Sequence, residues 1–88
     1  MTVTWNYRLV VTAESVDERD VVVCEVYYDD GIPTSYVSTA PPGGSTPKEA
    51  LWAYQKMDEA FRQPVLRHGE HGLVEVSEEE ERSWETPA

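Results

Sequence analysis

The chain contains a single cysteine and only seven basic residues in 88, and its longest apolar run is Val21-Val22-Val23-Cys24. Each shortage excludes something. A lone Cys24 closes no disulfide within the chain, so no disulfide framework holds the fold, and a reducing, cytoplasmic setting fits it best. Four apolar residues are far too few to span a bilayer. No basic N-terminal segment leads into an apolar run, so no secretory leader is expected. Seven bases against 17 acids leave a formal net charge of −10, which repels nucleic acid and anionic membrane surfaces. The electrostatic partner of such a chain is a basic surface, although simple solubility accounts for the same acidity. No glycine-rich phosphate loop occurs, because Gly43-Gly44 lacks the following Lys and Ser or Thr of a nucleotide site. With 88 residues the chain makes one small domain with a thin core, which argues against a large internal active-site cavity.

What is present divides at Ser45-Thr46-Pro47-Lys48-Glu49. Before it, the pattern is β. Residues 2–12 alternate, with Val3, Trp5, Tyr7, Leu9 and Val11 on one face and Thr4, Asn6, Arg8, Val10 and Thr12 on the other. Residues 13–20 are polar and read as a loop. Residues 21–28 form a second strand, apolar on both faces and therefore central. Asp29-Asp30-Gly31 is a hairpin turn, since Gly accepts the positive φ of a tight turn. Pro33 suits a strand start or an edge, and residues 34–39 make a short third strand. Neighbouring strands joined by short loops give an antiparallel meander in the order 1-2-3.

After a connector, Ala40-Pro41-Pro42-Gly43-Gly44, Thr46 caps a helix, Pro47 occupies its first turn and Glu49 completes a capping box. The helix is expected from Pro47 to Gln63, ending before Pro64. Its apolar stripe is Ala50, Leu51, Tyr54, Met57, Ala60 and Phe61, and that stripe should cover one face of the sheet. Trp52 falls off the stripe and, with Lys56 and Glu59, should sit toward solvent or along the flank. Residues 67–72 read as a polar turn, and residues 73–76 as a short fourth strand or a docked extension. From Glu75 onward six acids meet one base, so residues 77–88 read as a disordered acidic tail or a frayed helix. The expected fold is thus α+β: a three-stranded antiparallel β-meander and one amphipathic helix on one sheet face. Residues 1–76 make a single βββα domain and residues 77–88 its acidic tail.

Three segments carry a resemblance: Trp5-Asn6-Tyr7-Arg8, then Glu25-Val26-Tyr27-Tyr28-Asp29-Asp30-Gly31-Ile32-Pro33, then the helix end Met57-Asp58-Glu59-Ala60-Phe61-Arg62-Gln63-Pro64-Val65-Leu66. In order and spacing they resemble a group of small uncharacterised bacterial proteins of this length. The resemblance covers residues 3–66. It implies a shared domain and carries no activity with it, and the acidic end after Gly72 looks like an addition to the shared body.

The candidates for chemistry are weak. His68, Glu70 and His71 place two imidazoles and a carboxylate on one turn, but not at the spacing of a helical zinc site, and no second cluster adds ligands. An exposed polar turn is the plainer account. Cys24 lies in a valine run, where a cysteine serves as a small apolar core residue rather than a nucleophile. Asp29 and Asp30 are turn chemistry, without the further ligands of a calcium loop. No catalytic residue, cofactor site or metal site is therefore assigned, and the chain is not expected to be an enzyme.

The rings Trp5, Tyr7, Tyr27, Tyr28, Tyr36 and Trp52 are many for so small a domain. One helix covers one sheet face, so rings on the other stay partly exposed, as in protein interfaces; filling a small core and its rim is the plainer use for them. The expected function is a non-enzymatic, acidic protein-interaction domain that binds a basic partner surface or a second copy of itself. Tyr7, Tyr27, Tyr36, Trp52, Glu78, Glu79, Glu80 and Glu81 are the candidate contact residues. The alternative is a nucleic-acid-mimicking inhibitor of the kind some phages encode against host defence, whose acids would be spaced on one face like phosphates. A metal or small-ligand binder is the remote third.

Overall fold

The computed structural model describes residues 3–38, 43–70 and 72–85, the side chain of Glu85 excepted. Thr39, Ala40, Pro41 and Pro42 of the expected connector and strand end, and His71 of the polar turn, lie outside the described residues. Among the described residues the chain is α+β. In order it forms β1 (Val3–Glu14), β2 (Arg19–Asp29), β3 (Ile32–Ser38), α1 (Pro47–Asp58), a 3₁₀ turn (Glu59–Arg62), β4 (Leu66–Gly69), β5 (Gly72–Glu75) and α2 (Glu78–Glu85). The strands make one mixed sheet in the order β3-β2-β1-β4-β5.

The antiparallel meander of the first three strands is present. Its second turn has Asp30 at φ 51° and Gly31 at φ 84°, the paired positive angles of a type I′ hairpin. The expected three-stranded sheet is nevertheless too small. Instead of one short fourth strand, the segment after the 3₁₀ turn forms a second hairpin, β4–β5, added beyond β1. The crossover through α1 lays β4 parallel to β1, with Val10 opposite Leu66. A four-residue strand was illegible at residues 66–69 because Arg67, His68 and Gly69 carry no apolar alternation.

The enlarged sheet curls until its edge strands β3 and β5 touch. A Cβ on Gly72 would lie 3.5 Å from the Pro33 carbonyl oxygen, and the Tyr36 hydroxyl is 2.9 Å from His68 Nε2. Val10, Cys24, Val26, Leu66 and Leu73 fill the concave side, with Tyr28 and Tyr36 packed against them. Each fully buried Val or Leu there contributes about 1.5–3 kcal/mol. The expectation of one face covered by the helix and the other left open is thus corrected: the curl of the sheet itself packs the concave side, with Tyr28 and Tyr36 against it, while Tyr7 and Tyr27 lie on the other side. On β1 the inward residues are Arg8 and Val10, both buried. The more apolar set, Val3 to Val11, points outward, and of it Val11 alone is buried.

Outside, a second small core joins Val11, Val65 and Val76, with Leu9 and Trp84 against it. Trp84 comes from the segment expected to be a disordered tail or frayed helix, which is α2. Ser77 Oγ accepts from the Glu80 N–H at 3.2 Å, and the Ser77 carbonyl accepts from the Glu81 N–H at 3.0 Å. Four glutamates in the first turn complement the helix dipole. The Arg19 guanidinium lies 4.1 Å from the Trp84 ring centroid, and Arg67 joins Glu14 and Glu80. One aromatic and two arginines thus hold down a segment whose charge alone reads as unfolded.

Candidate interaction surface

Helix α1 begins as its sequence requires. Thr46 Oγ1 accepts from the Glu49 N–H at 3.2 Å, while Glu49 Oε2 accepts from the Ser45 N–H at 2.7 Å, one residue before the cap itself. The helix ends differently. Regular α geometry stops at Asp58 and tightens into the 3₁₀ turn, which runs to Arg62.

The expected burial of its apolar stripe does not occur. No residue of α1 is buried. The half-buried positions are Ala50, Ala53 and Met57, and Ala60 of the following 3₁₀ turn is fully buried. These recur at i, i+3, i+7 and i+10, so the helix turns a line of small residues inward. Leu51, Tyr54 and Phe61 lie on an adjacent line and are 57%, 62% and 64% exposed. The expected stripe merges these two lines, and the smaller one wins the packing because a helix of alanines approaches more closely. Trp52 is exposed, as expected, with Lys56 Nζ 5.7 Å from its ring centroid. Phe61 continues into an open groove of about 440 Å³ lined also by Arg62, Pro64, Glu78, Glu81 and Arg82.

The other candidate residues scatter. Tyr7 and Tyr27 are half-buried on the outer sheet face. The Tyr7 ring meets exposed Trp5 edge-on, with centroids 5.3 Å apart. The Tyr27 hydroxyl donates to Glu25 Oε2 at 3.3 Å. Desolvation first, then the Glu25 charge and this hydrogen bond, push the Tyr27 phenol above its ordinary value. Tyr36 points into the concave side, against His68, and does not join the others. Glu78, Glu79, Glu80 and Glu81 form the first turn of α2, with Glu80 tied to Arg67. Only Tyr7 and Tyr27, on one sheet face, are brought together; Trp52 and the glutamates lie on separate helices.

Leu51, Tyr54 and Phe61 were missed as surface residues. The signal for them was the alanine spacing at 50, 53 and 60, which marks a second, narrower face on the same helix.

Cys24 is buried, its thiol pushed up by that burial and only partly offset by Ser38. Among the described residues no group of three or more His, Cys, Asp or Glu is placed to hold a metal. The groove of about 690 Å³ between β3 and β5 is lined by Thr34, Ser35, Tyr36, His68 and Gly69, with no charged pair across it. No described helix is long and apolar enough to cross a membrane. Comparison with known proteins gives no match: no family model, no curated protein and no solved structure is similar to this chain.

Proposed function

We propose that this chain is a non-enzymatic, acidic protein-interaction domain whose docking surface is the outward line of α1 and the following turn. The observation that carries this reading is the exposure of Leu51, Tyr54 and Phe61 on one line that runs along α1 and into the 3₁₀ turn. Two aromatics and a leucine, each more than half exposed, leave roughly 300 Å² of apolar surface in contact with water on that line. A patch of that size is comparable to the largest on an ordinary monomer, and such patches are often functional; Tyr and Phe are among the residues interfaces favour.

The mimic reading draws less support. Glu14, Asp58, Glu59, Glu75 and Glu80 each stand in an ion pair with an arginine or lysine, which spoils a phosphate-like array.

The test is a photo-cross-linking phenylalanine analogue placed at Tyr54, with the same analogue at exposed Asp17 as control. A discrete protein adduct is expected from position 54 and not from position 17. Cells expressing the chain that yield no adduct from position 54 sink the proposal.

A further inference from the structure

Resting on that reading of α1, we infer that the occupant of this surface is a second copy of the same chain, paired helix to helix about a two-fold axis. Two observations carry this: surface is left uncovered, and a basic partner is not what the charge at α1 would draw.

The first is area. The accessible surface is 6582 Å². A folded monomer of 10.0 kDa presents roughly 5,200 Å². The chain therefore leaves about 1,300 Å² more in water than its mass warrants, against the ~800 Å² per partner that a standard interface buries. Its radius of gyration agrees, at 14.3 Å. A compact chain of this length has about 12 Å. The excess is counted over the whole chain and is large enough to hold an interface of standard size.

The second is charge. Residues 47–62 hold three bases, Lys48, Lys56 and Arg62, and three acids, Glu49, Asp58 and Glu59, for a net charge of zero. The whole −10 therefore lies elsewhere on the chain. A basic partner would be drawn to the rest of the molecule and gains nothing electrostatic at α1. Two helices of zero net charge meet without net repulsion, and Asp58, which lies within the stripe, is offset by its pairing with Arg62.

The stripe is also self-complementary. Leu51 and Phe61 stand about 15 Å apart along the axis, with Tyr54 and Asp58 between them. A two-fold axis crossing the stripe there sets Leu51 of one copy against Phe61 of the other, with the helix dipoles antiparallel.

The experiment is sedimentation equilibrium on the full chain between 1 and 200 µM, values on the order of typical weak-dimer affinities. It is run on the wild type, Leu51→Glu and Tyr54→Glu, with circular dichroism confirming that each variant is folded. The expected result is a species of twice the 10.0 kDa chain mass that dissociates on dilution. Either glutamate should weaken it by roughly 100-fold, as a charge in the centre of an apolar contact does. A wild type that stays monomeric at the highest concentration overturns the inference, and so does a dimer that both folded variants retain in full. The position-54 cross-link separates the two claims. An adduct of twice the chain mass supports both, an adduct with a different protein from a monomeric chain removes the second copy alone, and no adduct removes both.

Discussion

Arg8 is the residue whose replacement tests the fold most sharply. Its side chain is 5% exposed inside the curled sheet. Nη1 donates to the Tyr28 hydroxyl at 2.8 Å, and Nη2 donates to the Pro64 carbonyl at 2.7 Å and reaches Glu75 at 3.4 Å. One guanidinium thus joins β1 to β2, to the chain entering β4, and to β5. Arg8→Met keeps the length and apolar stem and removes both short bonds. Replacing a buried ionic group by an apolar isostere is often neutral, but only when its partners go too. Here the Pro64 carbonyl and the Tyr28 hydroxyl stay behind without their protein partner. Hydrogen bonds to a charged group are worth about 1.5–3 kcal/mol each, so two give about 3–6 kcal/mol; Tyr28 and Pro64 are half-buried and water recovers part of this, so the expected loss is about 2–4 kcal/mol, a large share of the stability of a small domain. Glu75→Gln is the control. The Glu75 side chain is 61% exposed and its contact is long, so its loss should cost under about 1 kcal/mol. Urea denaturation followed by tryptophan fluorescence measures both. Arg8→Met within about 0.5 kcal/mol of wild type, or Glu75→Gln the costlier of the two, refutes the assignment of the arginine as the tie across the sheet.

Two further outcomes follow from the same packing. Trp84→Ala removes the ring between the Val11, Val65 and Val76 core and the Arg19 guanidinium, and should cost about 2 kcal/mol. An eight-residue helix does not persist alone, so far-ultraviolet dichroism should also lose the signal of α2; an unchanged spectrum would mean the helix is held by something else. Burial holds the Cys24 thiol above its ordinary value of 9.0, so the folded chain keeps that proton after the unfolded chain has lost it. Stability is then unaffected by this group below about pH 9 and falls as pH rises above it. Thiol labelling should track global unfolding, and rapid labelling of the native chain at pH 8 would contradict the burial.

How much was legible in the sequence depends on which force decided each element. Turn and cap chemistry is local, so Asp30-Gly31 and Thr46-Pro47-Lys48-Glu49 marked their hairpin and helix start directly. The strands of the meander were readable from alternation, but not which face became the interior. Alternation put Trp5 and Tyr7 with Val11, and apolarity favoured that set as the core. The structure instead buries Arg8 and Val10, because the curl of five strands encloses a narrow space that suits valine, cysteine and one arginine held through its two Nη atoms. That choice depends on β4, whose residues carry almost no strand signal, and on β5, which the sequence offers only as a short fourth strand or a docked extension. α2 was hidden for a related reason. Its four glutamates dominate the composition, while the contacts that fix it, Trp84 with Arg19 and Arg67, come from strands far away in sequence. On α1, the stripe was visible but two adjacent lines were read as one, and the residues proposed for docking were placed in the core.

The acidity and the proposed self-association pull against each other, and the sign of their salt dependence decides which matters at α1. A basic partner would be held by attraction to a −10 chain, so added salt would screen the attraction and weaken the complex. Two copies joined through a neutral helix carry their charge away from the contact, yet the dimer as a whole still concentrates like charge. Screening then relieves repulsion, and the contact itself, being apolar, is untouched. Self-association should therefore tighten modestly between low salt and about 0.5 M, where the Debye length falls to a few ångströms. A dimer that loosens steeply over the same range would mean that its interface is built from the acidic surface meeting Arg19, Arg67 or Arg82, and that the apolar line of α1 serves something else.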